Sequence, residues 1–284
     1  MNARDLADRL GLTRHAKSWR GICPACGYPN AFSLQAVKGD RVRLLAACGC
    51  DREAVEDAVR RIAGGDALPA PRKEAGNAEE ARERKREAAR RTWEGSASAG
   101  GTIVATYLSG RGLPDLAASA ALRFRGDCHH PEGGWLPAMV AEVVDVGGRF
   151  LAAHRTFLRR DGCAKADIEP QRASLGAVWG GAVRLDPAAV EVVVGEGIET
   201  AASAGRLLGL PAWAALSAGN LARGLALPAE VRRVTIAADA DPPGERAARS
   251  AALRWRREGR TVLIARPDKP DCDFNDILRS RDHG

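Results

Sequence analysis

VEVVVGEGIETA, residues 190–201, and VTIAADADPPGE, residues 234–245, decide how the second half of this chain reads. Val190–Val194 is a run rich in β-branched residues, as expected of a buried parallel strand. Ile198–Leu208 has helical character, Ala212–Leu216 reads as a short strand and Val231–Ala237 as another. A helix over Glu245–Glu258 and a last strand over Thr261–Ala265 complete a βαβ rhythm. Glu196 follows the first strand between Gly195 and Gly197, which let the backbone turn sharply and keep the carboxylate uncovered. Asp239 and Asp241 follow the strand Val231–Ala237, and alternate residues of an extended segment point the same way. Ligands of open α/β sheets bind outside the carboxyl ends of the strands. The two motifs therefore meet in one pocket if their strands are neighbours.

Such carboxylates suit a magnesium or manganese ion, which prefers oxygen and takes few protein ligands besides phosphate. Asp273 and Asp276, after the last strand, are candidates to complete the cation site. The alternative for Asp273 is a helix N-cap ahead of NDILRS.

Upstream, Ala138–Val146 and Arg149–Leu158 alternate as two strands joined by Gly147-Gly148, where both turn positions accept positive φ. His154, Arg155, Lys165 and Arg172 lie on or just after this hairpin. Arg155, Lys165 and Arg172 are the candidates for nucleotide or template contact, with ordinary solvated surface as the alternative. In Ser217-Ala-Gly-Asn220, Gly219 and Asn220 either approach a phosphate or make a plain turn.

The N-terminal part contains CPACGYPNAFSLQAVKGDRVRLLAACGC. Cys23 and Cys26 form a C-x-x-C pair, and Cys48 and Cys50 a C-x-C pair beyond a hairpin-length insert over Phe32–Gln35 and Val42–Leu45. This is the spacing of a tetrahedral zinc ribbon, in which the metal replaces a core too small to form alone. Trp19, Arg20, Tyr28, Phe32, Arg41 and Arg43 offer stacking and phosphate contact to a single strand; the alternative is that the aromatics pack the small core. Cys128 beside His129 and His130 is a second conceivable metal group, though adjacent loop histidines are usually solvated.

The chain has 284 residues, a net charge of +7 and a pI near 9.3, which favours polyanionic partners. Its charged N-terminus lacks a secretory h-region and no apolar run reaches membrane-spanning length, so a soluble cytoplasmic protein is expected, with no membrane partner. Composition divides it into a zinc ribbon over 1–63, a charged linker over 64–101 with a solvated helix in EEARERKREAARRTW, a basic α+β region over 102–185 and a catalytic α/β domain over 186–284.

G-E-G followed by D-A-D at a later strand end resembles the Toprim domain, the Rossmann-like catalytic fold of bacterial primases and topoisomerases. YLSGRGL, PAMVAEV, HRTFLRRDGCAKA, VVGEGIETA, WAALSAGN and DFNDIL are together similar to phage- and plasmid-type primases. The resemblance implies an α/β Toprim domain preceded by a mixed α+β region and a zinc ribbon. It implies acid–base or metal chemistry at Glu196 and divalent-cation binding at Asp239 and Asp241. It also implies synthesis of short RNA primers from ribonucleoside triphosphates on single-stranded DNA, a separate replicative helicase as partner, and a mobile-element setting. A Toprim nuclease and a non-catalytic DNA-binding module remain as alternatives. A topoisomerase needs a strand-cleaving tyrosine, for which the chain offers Tyr28 and Tyr107.

Overall fold

A computed structural model describes residues 2–15, 18–25, 27, 31–37, 41–46, 52–64, 75–268 and 272–281. They form two compact units, 1–75 and 76–284. No helix among the described residues is long and apolar enough to cross a membrane.

In the first unit the strands Thr13–His15, Ser18–Gly21, Phe32–Val37 and Arg41–Ala46 pair antiparallel in chain order, beside the helices Ala3–Arg9 and Arg52–Ala63. Trp19 and Phe32, which the sequence offers as stacking groups, are buried with Leu6, Leu34 and Val59 in the core of this unit. Cys23 is buried, and the Gly27 N–H donates to its carbonyl across a tight turn in which Gly27 has φ 74°. Cys26, Cys48 and Cys50 lie outside the described residues, as do Tyr28 and the turn Lys38–Asp40.

The second unit contains two sheets. The first is antiparallel and runs Ala97–Ser98, Leu122–His129, Trp135–Val144, Phe150–Phe157 and Arg172–Gly176 in chain order. The expected hairpin is present, but with a different turn: Gly148 alone of the glycine pair takes positive φ, at 82°. Asp145 organises the turn, its Oδ1 accepting from the N–H groups of Gly147 and Arg149. A short turn followed by one left-handed glycine matches strand twist without needing two such residues.

This sheet has two buried faces. Met139, Ala141, Ala152 and Leu158 pack toward the second sheet. Ala138, Val140, Ala153 and Phe157 pack on the other side with Ala89 and Trp93 of the helix Ala75–Glu94. The expectation of a solvated helix therefore fails over its last turns. Ala89 and Trp93, four residues apart, form a short apolar stripe that the many charges between and before them conceal.

The second sheet has the order Val183–Arg184, Ala212–Ala214, Glu191–Gly195, Arg233–Ala237, Thr261–Ala265. The first pair is antiparallel and the others are parallel. Glu191–Gly195 and Arg233–Ala237 are thus neighbours, as convergence of the acidic motifs requires. The helices Ile103–Gly110, Ile198–Leu208, Pro242–Arg257 and Phe274–Arg281 also belong to this unit. Pro242–Arg257 begins earlier than expected because Asp241 caps it and two prolines are tolerated in a first turn.

Candidate active site

The carboxyl ends of the two neighbouring parallel strands open into a cleft of about 340 Å³. Glu196 lines it from the end of Glu191–Gly195, and Asp239 and Asp241 from the loop after Arg233–Ala237. Asp273 and Asp276 line it from the start of the last helix. Arg111, Lys165 and Arg172 line the same space, Arg172 Nη1 close beside Gly197.

Several of these carboxylates also do local structural work. Asp241 Oδ1 accepts from the Gly244 N–H at 2.6 Å as the N-cap of its helix. Asp273 and Asp276 cap each other reciprocally: Asp276 N–H donates to Asp273 Oδ1 at 2.8 Å, and Asp273 N–H to Asp276 Oδ2 at 3.2 Å. The N-cap alternative is thus realised in residues that still line the cleft. Burial pushes the Asp239 carboxyl up to about 6, and the charges of Glu196, Asp241 and Asp273 push the same way against Arg172.

Whether this set suits magnesium follows from its chemistry. All the acidic donors are oxygens, and their mutual repulsion at Asp239 is what a cation would relieve. Among the described residues no three His, Cys, Asp or Glu side chains stand as a ready-made metal cage. Magnesium needs none: it commonly takes one or two carboxylates and completes its shell with water and phosphate.

The basic wall hangs on a residue that the sequence reading missed. Glu199, on the first turn of Ile198–Leu208, is 7% exposed. Its Oε1 accepts from the Tyr107 hydroxyl at 2.5 Å and pairs with Lys165 Nζ at 2.9 Å. Burial pushes the Glu199 carboxyl up, but Lys165, Arg172 and the Tyr107 hydrogen bond outweigh it and hold it at about 2. Tyr107 is buried, and burial together with the Glu199 charge raises its hydroxyl pKa, the opposite of what a strand-cleaving nucleophile requires. GEGIET gives little signal of this, because Glu196 precedes the Gly197 N-cap whereas Glu199 lies inside the first helical turn.

Sequence grouped His154, Arg155, Lys165 and Arg172, and the fold separates them. Arg172 and Lys165 reach the cleft. His154 lies on the same face, buried, with Nδ1 2.8 Å from Ser174 Oγ. Burial and the nearby Arg172 charge lower its pKa to about 3, so the ring is neutral. Arg155 projects from the opposite face: Nη1 donates to the His129 carbonyl at 2.7 Å and Nε to that of Ala173 at 3.3 Å. Adjacent strand residues point to opposite faces, so His154 and Arg155 cannot serve one site.

Other candidates resolve as architecture. Asn220 is buried, accepting from Gly180 N–H and donating to the carbonyls of Gly181 and Ala215, which stitches loops rather than meeting a phosphate. His130 is fully buried, not solvated, with Nε2 2.9 Å from the Pro170 carbonyl.

Comparison with known proteins agrees with this architecture. A family described as "Toprim domain" matches residues 191–283, and one described as "Domain of unknown function (DUF7146)" matches residues 83–185. No curated protein matches the chain. The solved DnaG catalytic core superposes with a TM-score of 0.51 at 16% identity, over 69% of this chain and 76% of that one. A DNA primase domain from Pseudomonas aeruginosa gives 0.45 at 16% identity, covering 69% of this chain and 74% of its own. The zinc-binding and RNA polymerase domains of the Aquifex aeolicus primase give 0.49 at 15%, covering 97% and 80%. The chain carries a C-terminal Toprim domain behind an antiparallel α+β region, and its fold is like that of a DNA primase catalytic core.

Proposed function

We propose that this chain is a primase-type nucleotidyltransferase that joins ribonucleotides into short primers on single-stranded DNA. One observation carries the reading: Glu196, Asp239 and Asp241 at the ends of neighbouring parallel strands, and Asp273 and Asp276 at the start of the last helix, line one cleft together with Arg111, Lys165 and Arg172. A nucleotide-binding phosphoryl-transfer site needs both signs of charge, one to hold a cation and one to hold phosphate.

In this reading a primer 3′-hydroxyl attacks the α-phosphorus of a ribonucleoside triphosphate. The new P–O bond forms as the bond to pyrophosphate breaks, and the hydroxyl proton passes to Glu196. Asp239 and Asp241, with Asp273 and Asp276 at the rim, would hold magnesium or manganese, which supplies charge neutralisation to the phosphates and lowers the pKa of the attacking hydroxyl. Lys165, Arg172 and Arg111 offset the charge of the triphosphate. Glu199 is a positioning residue that fixes Lys165 against the cleft wall.

Cys23, Cys26, Cys48 and Cys50 would hold zinc in a ribbon over 1–63, ahead of a primase-core region that takes in Ala89, Trp93 and the strand Ala97–Ser98 and runs to 185, and a catalytic domain over 186–284. A separate helicase would supply unwinding, in the cytoplasm, in a mobile-element context.

The test is primer synthesis by the full chain on single-stranded DNA with labelled ribonucleotides and magnesium or manganese. Short RNA products that disappear in Asp239→Asn support the reading. Shortening of the DNA itself, lost in the same variant, replaces it with a nuclease.

A further inference from the structure

Arg155 opens into a second cleft, of about 350 Å³, on the face of the antiparallel sheet opposite the carboxylates. Helix Ala75–Glu94 contributes Arg91 and Thr92 to it, the strand Leu122–His129 contributes Arg125 and Asp127, and Trp135 closes one end. Trp135 is 61% exposed, an unusual position for so large an apolar ring. The His129 ring meets it edge to face at 5.3 Å between centroids. The turn connecting the two residues is anchored by buried His130, whose Nδ1 accepts from the Glu132 N–H at 3.2 Å. The indole thus has one ring partner, and its remaining surface is open to a stacking ligand.

The charge around the ring has one predominant sign. Arg91, Arg125 and Arg155 line the cleft against a single carboxylate, Asp127. Arg155 donates to the carbonyls of His129 and Ala173, and Arg125 to those of Asp127 and Gly95 while pairing with the Asp127 carboxylate at 3.3 Å. The Arg91 side chain is 72% exposed, 4.0 Å from Glu87. An exposed aromatic platform beside arginines is the chemistry that holds a single strand: a base on the ring and phosphates on the cations.

We infer that this outer cleft is a second binding site for single-stranded nucleic acid, in which one base stacks on Trp135 while Arg91 and Arg125 meet the flanking phosphates. The inference rests on the proposed function only in taking the anionic polymer to be a nucleic acid. The site is separate from the carboxylate cleft, because the sheet stands between them.

The experiment is a titration of fluorescently labelled oligodeoxythymidylate with the full chain, read as anisotropy. Trp135→Ala binds about tenfold more weakly, the effect of losing one stacked base, and Trp135→Phe recovers most of the loss. Arg91→Ala lowers the slope of log affinity against log salt by about one. Trp135→Ala with wild-type affinity overturns the inference, whatever primer synthesis shows. A change in elution volume on gel filtration with unchanged oligonucleotide affinity also overturns it and makes the ring a protein contact. Trp135-dependent binding by a chain that makes no primers would leave this site standing and remove the proposed function.

Discussion

The Tyr107 hydroxyl and Lys165 Nζ converge on the same oxygen of Glu199, at 2.5 and 2.9 Å. Tyr107 comes from the helix Ile103–Gly110, Lys165 from the segment after the hairpin and Glu199 from the Toprim helix, so one buried carboxylate fastens both layers of the catalytic unit.

Removing its charge leaves Lys165 without its buried ion-pair partner. Glu199→Gln is expected to destabilise the chain by about 3 kcal/mol, the scale for a buried pair losing one partner. Tyr107→Phe removes one hydrogen bond to a charged group and costs about 1.5 kcal/mol. Urea unfolding of both variants and their double mutant checks this; a double mutant equal to the sum of the singles would show that the two groups act independently.

Metal-free stability depends on pH through Asp239. Its carboxyl, ordinarily near 3.8, titrates near 6 in the fold. The stability linked to the protonated form is complete below the ordinary value and is lost as pH rises through about 6. Magnesium is expected to restore it above that pH. Melting curves at pH 8 should show a larger magnesium-induced rise in Tm for wild type than for Asp239→Asn, which begins about 1 kcal/mol more stable without metal.

His154 acts in the other direction. Its ring stays neutral in the fold down to about 3, whereas an ordinary histidine protonates near 6.5. Stability present above pH 6.5 is therefore lost as pH falls below it, because the unfolded chain takes up the proton first. The slope is about 1.4 kcal/mol per pH unit. His154→Asn, which cannot titrate, should flatten the acid limb; unchanged acid sensitivity would rule His154 out as its source.

Gly244 lies in the first turn of a helix, where alanine is ordinarily better by about 1 kcal/mol. Here a Cβ would come within 2.9 Å of Asp241 Oδ1 and 3.0 Å of the Asp239 carbonyl. Backbone at that distance must move, so Gly244→Ala is expected to displace the acidic loop. Primer synthesis should fall at least tenfold, with a stability loss of about 1–2 kcal/mol in chemical denaturation.

Much of this was legible in the sequence because it rests on short-range rules. Ile198–Leu208 and Thr261–Ala265 occur with the bounds their patterns predict, and the α/β class follows from the alternation of strands and helices. Glu196, Asp239 and Asp241 could be grouped because strand ends in a parallel sheet share a side. Other features depend on contacts distant in sequence. Glu199 gains its role from Tyr107, 92 residues away. The burial of Trp93 is not visible locally because the cluster it joins, with Phe150 and Phe157, is built on a sheet later in the chain. Arg155 lies on the face away from the carboxylate cleft because the two-residue period of its own strand separates it from His154.

That period has a consequence for how the chain tolerates change. From Ala152 to Phe157 the even-numbered side chains point toward the second sheet and the odd-numbered ones toward the helix Ala75–Glu94 and the outer cleft. One strand thus belongs to two neighbourhoods that share a backbone and almost no side-chain contacts. Substitutions on one side can accumulate without disturbing the other, whereas loss or gain of a single residue in the strand exchanges their occupants and damages both at once.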